Sequence, residues 1–148
     1  MRSTTDDVTS FISDYAEHMN SGVQSGTVDG AFLARCFAED FIGASPAGVM
    51  AARNEGLADI LTRSYRAMGG TAFVAEDIEV EELAPQSYMA TVGWRFDYRR
   101  PADGEAGAIR FTNHYFVNTS GGDPKIFAWI TPDEQAALRE HGLVPASS

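Results

Sequence analysis

The 148-residue sequence predicts an α+β fold: a curved antiparallel sheet packed against three N-terminal helices, with a short C-terminal helix. Three observations carry that reading. Apolar residues recur at helical spacing up to Gly70 and alternate with period two after it. The helical segments come early and the long strands late, an order that sets helices on one side of an antiparallel sheet. The length is that of one domain over residues 1–148, so both halves share one core.

Each element follows from local chemistry. Thr4 or Thr5 can cap a first helix whose opening turn carries Asp6 and Asp7, favourable at the positive end of the helix dipole. Val8, Phe11, Ile12, Tyr15 and Met19 form its apolar stripe, and the spacing predicts a stop near Gly22. Asp29 is placed to cap a short second helix that buries Phe32, Leu33, Cys36 and Phe37. Gly43, Pro46 and Gly48 break residues 41–50 into two short strands around a turn. Asn54 is the expected cap of a third helix with apolar positions Leu57, Ile60, Leu61, Tyr65 and Met68, ended by Gly69-Gly70.

Beyond Thr71, Ile78 and Val80 alternate against Asp77, Glu79 and Glu81, the pattern of a strand with one wet face. In the next strand Tyr88, Ala90, Val92, Trp94, Phe96 and Tyr98 share one face, and Thr91, Arg95 and Asp97 take the other. A hairpin loop over Pro101–Gly107 leads into a long strand from Ala108 to Asn118; a turn then precedes a strand over Lys125–Ile130. The run Thr131-Pro132-Asp133-Glu134 reads as a capping threonine, a proline at the first helical position and a glutamate three residues after the cap. It predicts a short last helix toward Gly142 and a loose tail after Val144.

Composition removes whole classes of function. Eleven basic against 21 acidic residues give a net charge of -10, which opposes the phosphate contacts that nucleic-acid binding needs. The single cysteine, Cys36, cannot make an intrachain disulfide. No stretch resembles a signal peptide or a membrane span, so a cytoplasmic protein without a membrane partner is expected. His18, His114 and His141 share no metal-ligand spacing, and glycine-rich phosphate loops and a serine nucleophile elbow are absent, so no metal or organic cofactor is expected.

The order of elements, together with Tyr15 to Gly22 (YAEHMNSG), Phe37 to Pro46 (FAEDFIGASP), Arg110 to Asn118 (RFTNHYFVN) and the strand beginning Lys125-Ile126, resembles the nuclear transport factor 2-like superfamily. The resemblance covers nearly the whole chain. It implies the cone-shaped α+β fold shared by ketosteroid isomerases, scytalone dehydratase, limonene epoxide hydrolase and polyketide cyclases, and a homodimer formed through the outer face of the long strands. Against ketosteroid isomerases, Tyr15 matches the helix tyrosine and Asn113 stands where those enzymes have a strand acid. Ser45 precedes Pro46 where they have a carboxylate base. A serine hydroxyl of ordinary acidity cannot take a proton from carbon, so isomerase activity of that type is excluded.

Candidate site residues follow from strand parity. Asn113 shares a face with Ile109, Phe111, Tyr115 and Val117, so one amide points toward the core. It needs partners there: a ligand, Tyr15 or a buried water. Trp94, Phe96, Tyr98, Phe111, Tyr115 and Trp129 fall on or near inner faces, as plain core or as the wall of an aromatic cavity. His114 has the opposite parity and faces outward. The leading expectation is a small-molecule-binding protein with a hydrophobic aromatic pocket formed by Tyr15, Trp94, Phe111, Asn113, Tyr115 and Trp129, and a hydrophobic small molecule as partner. The enzyme alternative is a polyketide cyclase-like or dehydratase/isomerase-like activity on a hydrophobic carbonyl compound, with Tyr15 and Asn113 polarising the carbonyl and Asp40 moving protons. The third is a non-catalytic dimeric interaction module, its cone filled by Trp94, Trp129 and Phe111.

Overall fold

The computed structural model describes residues 4–143; the tail after Val144, expected to be loose, lies outside the described residues. The elements run α1 (Thr5–Ser25), α2 (Gly30–Cys36), β1 (Phe37–Ser45), β2 (Gly48–Arg53), α3 (Leu57–Ala67), β3 (Gly70–Ala84), β4 (Ser87–Arg99), β5 (Ala106–Asn118), β6 (Lys125–Ile130) and α4 (Glu134–Glu140). The six strands form one sheet in the order β2-β1-β6-β5-β4-β3. The fold is α+β as expected, and the sheet is mixed, because β1 lies parallel to β6 while every other neighbouring pair is antiparallel. The parallel contact joins strands far apart in sequence, and a hydrophobic pattern records which face of a strand is buried but not its neighbour.

α1 starts on a capping box in which Thr4 and Asp7 satisfy each other's backbone N–H groups. Its buried stripe is Val8, Ile12, Tyr15, Ala16, Met19 and Val23, and it runs one turn beyond Gly22 to end on Gly26 in the left-handed conformation. This stripe lies against β3 and β4. β3 carries register shifts at Gly70/Ala72, Ala75/Asp77 and Glu82/Ala84, and such bulges bend a strand, here around α1. Asn20 Oδ1 on α1 accepts the Phe73 backbone N–H at 2.8 Å, close to the first shift. In β4 and β5 the predicted alternation holds along the strand: Tyr88, Ala90, Val92, Trp94, Phe96 and Tyr98 are buried, as are Ile109, Phe111, Asn113, Tyr115 and Val117.

Local signals gave way to tertiary contacts at three places. α3 is capped by Gly56, not Asn54; the Asn54 amide instead donates to the carbonyls of Ala34 and Phe37 and ties the end of α2 to β1. Ile60, assigned to the apolar stripe of α3, is half-exposed. α4 begins after Asp133, and Thr131 does not cap it. The Thr131 N–H donates to the Ala44 carbonyl, while Asp133 and Glu134 turn toward β5. Among the described residues, no helix is long and apolar enough to cross a membrane.

Candidate functional site

The concave face of β4 and β5 is built from cross-strand pairs: Trp94 opposite Phe111, Val92 opposite Asn113, Ala90 opposite Tyr115. Because inward positions repeat every second residue, one amide is set in a wall of rings. Trp94 packs on Phe73 with centroids 4.1 Å apart, and Tyr15 meets Tyr115 at 5.6 Å and Trp94 at 6.3 Å, both edge to face. Trp129 on β6 stands against Phe37, Phe41 and Tyr115. It fits because Gly43 on β1 has no Cβ; one added there would lie 2.7 Å from Trp129 Nε1.

Polar atoms are few and converge on one place. Trp94 Nε1 donates to the Tyr115 hydroxyl at 3.0 Å. Asn113, 4% exposed, donates through Nδ2 to Glu134 Oε1 at 3.0 Å, and its Oδ1 is buried without a hydrogen-bond partner. An acceptor carboxylate on one side of the amide sets its orientation and leaves the acceptor edge facing the core. Glu134 is carried in by the start of α4. Beside it, Asp133 Oδ1 accepts the Thr112 backbone N–H at 3.2 Å, on β5 past the last residue that β6 pairs.

Burial dominates the ionisation of this cluster. It raises the Glu134 carboxyl above the ordinary glutamate range, opposed by the hydrogen bond from Asn113 and reinforced by Asp133. It pushes the Tyr115 hydroxyl up to about 12 and holds Tyr15 and Tyr65 well above the usual tyrosine range, with Glu134 adding to the shift at Tyr65. A carboxyl with this bias, in contact with a buried amide, can hold or pass a proton.

The structure thus brings Tyr15, Trp94, Phe111, Asn113, Tyr115 and Trp129 to one face. Asp40 does not join them. It lies on β1 with its side chain 81% exposed and 3.7 Å from Arg53, which also pairs with Glu39. Sequence reasoning missed Glu134, whose place in a capping signature explained it too readily, and Tyr65, which counted only as a helix core position. Tyr15 is not the hydrogen-bond partner of the Asn113 amide; Glu134 is. His114 faces outward as expected and is hydrogen-bonded to Thr91 at 3.0 Å. The His18 ring donates to the Asp14 carbonyl instead of pairing with its carboxylate, and stacks on Phe32. Burial pushes the Cys36 thiol up to about 12, which leaves it unreactive.

Two surface hollows lie away from this cluster. One, of about 310 Å³, runs between α1 and α3 and touches the cluster only through Tyr65; the other, of about 370 Å³, lies beside Asn118, Lys125 and Phe127. Among the described residues, no group of three or more His, Cys, Asp or Glu side chains is placed to hold a metal ion.

A mixed sheet curled over three helices is the architecture of the nuclear transport factor 2-like class. Residues 6–134 match the family described as NTF2-like protein (DUF6841), and the chain belongs to that family. It matches no curated protein. Solved structures similar to it include an NTF2-like protein with a cystatin-like fold from Novosphingobium aromaticivorans (TM-score 0.65, 15% identity, covering 95% of this chain and 90% of that one). A ketosteroid isomerase-like protein from Erwinia carotovora atroseptica is similar with a TM-score of 0.61 and 12% identity over 86% of this chain and 94% of that one. The beta subunit of the benzoate 1,2-dioxygenase from Burkholderia mallei has a TM-score of 0.61 and 16% identity over 89% and 92%. At these identities the likeness is one of fold, and the fold hosts unrelated functions.

Proposed function

We propose that this protein binds a hydrophobic small molecule on the concave face of its sheet, the ligand's apolar body among Trp94, Phe111, Tyr115 and Trp129 and its polar end on Asn113. The observation that supports this most is the Asn113 Oδ1, a buried acceptor with no partner in an otherwise apolar wall. An unpaired buried acceptor costs about 1–3 kcal/mol, a cost that a ligand donor removes. Two copies pair through the convex face, where exposed Ile42, Val49 and Ile130 line up across β1, β2 and β6. Native mass spectrometry of the purified protein, followed by denaturing extraction, tests both parts. A dimer carrying one small molecule per chain, lost in Asn113→Leu, is the expected result; an empty monomer contradicts both.

A second reading, an acid-base enzyme acting on a hydrophobic carbonyl compound, is favoured by Glu134. A titratable carboxyl within hydrogen-bond reach of the inward amide is what such chemistry requires. In this reading Glu134, not Asp40, moves the proton. Deuterium uptake from solvent into a supplied ketone, abolished by Glu134→Gln, is its signature; equal uptake with and without protein rejects it.

A further inference from the structure

The Asn113 amide has two hydrogen-bonding edges, and the chain uses one. Nδ2 donates to Glu134; Oδ1 receives nothing, although the residue is almost wholly buried. The group on Nδ2 is not part of the sheet. It arrives on α4, and the family match ends at Glu134, so the helix continuing from that residue lies beyond the matched segment. α4 packs on β5 and is held there by Asp133 on the Thr112 N–H, Glu134 on Asn113, the apolar side chains of Ala137, Leu138 and Leu143 against the core, and, at its far end, Arg100 donating to the His141 carbonyl and the His141 ring edge on to Tyr98. A seven-residue helix with one fully buried side chain opens more readily than the 21-residue α1 with its long apolar stripe.

We propose that Glu134 is a built-in occupant of the Asn113 amide, and that the ligand it stands in for is a neutral flat molecule with an N–H and a C=O side by side, a lactam or carboxamide. This rests on the concave-face binding proposed above. Such an edge donates its N–H to Oδ1 and accepts from Nδ2, completing both sides of the amide, whereas an ionised carboxylate has no proton for Oδ1. Charge favours a neutral ligand over a carboxylate. The chain carries a net -10, and the groups that bear on Glu134 are Asn113, Asp133, Tyr65 and Tyr115, none of them cationic. Taking an anion into that setting is costly. The flat frame follows from Trp94, Phe111 and Tyr115 around Asn113.

The test compares 2-quinolinone, whose ring amide presents this edge, with quinoline, the same frame without it, by equilibrium dialysis against the full chain. Wild type and the variants Glu134→Ala, Glu134→Gln and Asn113→Leu are used after circular dichroism shows each is folded. Wild type should bind 2-quinolinone more tightly than quinoline. Glu134→Ala, which frees the Nδ2 N–H that Glu134 takes, should bind it about tenfold more tightly still, the size of one net hydrogen bond. Glu134→Gln, which keeps an acceptor on Nδ2, should match wild type, and Asn113→Leu should bind the two compounds alike. If Glu134→Ala gains nothing, or if quinoline binds wild type as well as 2-quinolinone does, the built-in occupant is overturned while concave-face binding stands. If neither compound binds wild type or Glu134→Ala, concave-face binding fails with it.

Discussion

The two faces of β4 and β5 are made by alternate residues of the same strands, yet they treat a carboxyl group in opposite ways. On the concave side Glu134 meets Asn113 among aromatic rings, and burial raises its pKa. On the convex side Glu76 from β3 accepts from Arg110 at 2.8 Å and Arg95 at 3.1 Å, and these guanidinium groups hold its carboxyl below the ordinary range. Arg95 also pairs with Asp97, next to Phe96 on the buried face. A step of one residue along a strand thus exchanges an apolar setting, where charge is disfavoured, for a solvated ion network, where it is stabilised. Polar interactions are stronger on the first face, where water is excluded. The second face keeps its charged groups paired and in contact with water.

The largest break in this contrast is Trp94→Ala, which removes the ring that packs on Phe73 and the donor to Tyr115. It should destabilise the protein by about 3–5 kcal/mol in urea unfolding. Gly43→Ala comes next. Its Cβ would press on Trp129 at 2.7 Å, and overpacking of this kind costs about 1–3 kcal/mol, read as a lower melting temperature with weaker tryptophan near-ultraviolet dichroism.

The pH dependence sharpens the comparison through its sign. Glu134 has a raised folded-state pKa, so its stabilising share is fully present below the ordinary glutamate pKa and is lost as pH rises through the folded value. Glu76 runs the other way, contributing above the ordinary range and losing that contribution as pH falls through its depressed value. Denaturant midpoints taken from acid to neutral pH should therefore decline less in Glu134→Gln than in wild type; an unchanged profile would sink the assignment. The smallest effect belongs to Arg110→Ala. With its side chain 66% exposed, its pairing with Glu76 is screened, and the melting temperature should move less than in Trp94→Ala or Gly43→Ala and converge on wild type at high salt.

Much of this arrangement is legible in the residues. The run from Tyr88 to Tyr98 announces its buried face, and the place of Asn113 between Phe111 and Tyr115 marks it as an inward amide. His114 is legible as outward for the same reason. The ends of the helices are less so. Asn54 and Thr131 have the side chains of caps, but each found backbone partners on another element: the carbonyls of Ala34 and Phe37 in one case, the Ala44 carbonyl in the other. Glu134 shows the same limit at the site itself. Its spacing from Thr131 suits a capping box, and its actual partner lies 21 residues back on β5.

By itself, then, the sequence determined the faces of the elements and which residues share a face, because a period of two or of 3.6 is a property of neighbouring residues. It also determined an acidic chain with one inward amide among aromatic rings. Only the tertiary structure decided that β1 runs parallel to β6, that α4 closes over β5, and that Glu134 instead of Asp40 is the carboxyl at the site. Those outcomes depend on which distant segments meet and how much water they exclude. Desolvation, which separates a buried acid from an exposed one of the same type, is a property of the packed whole.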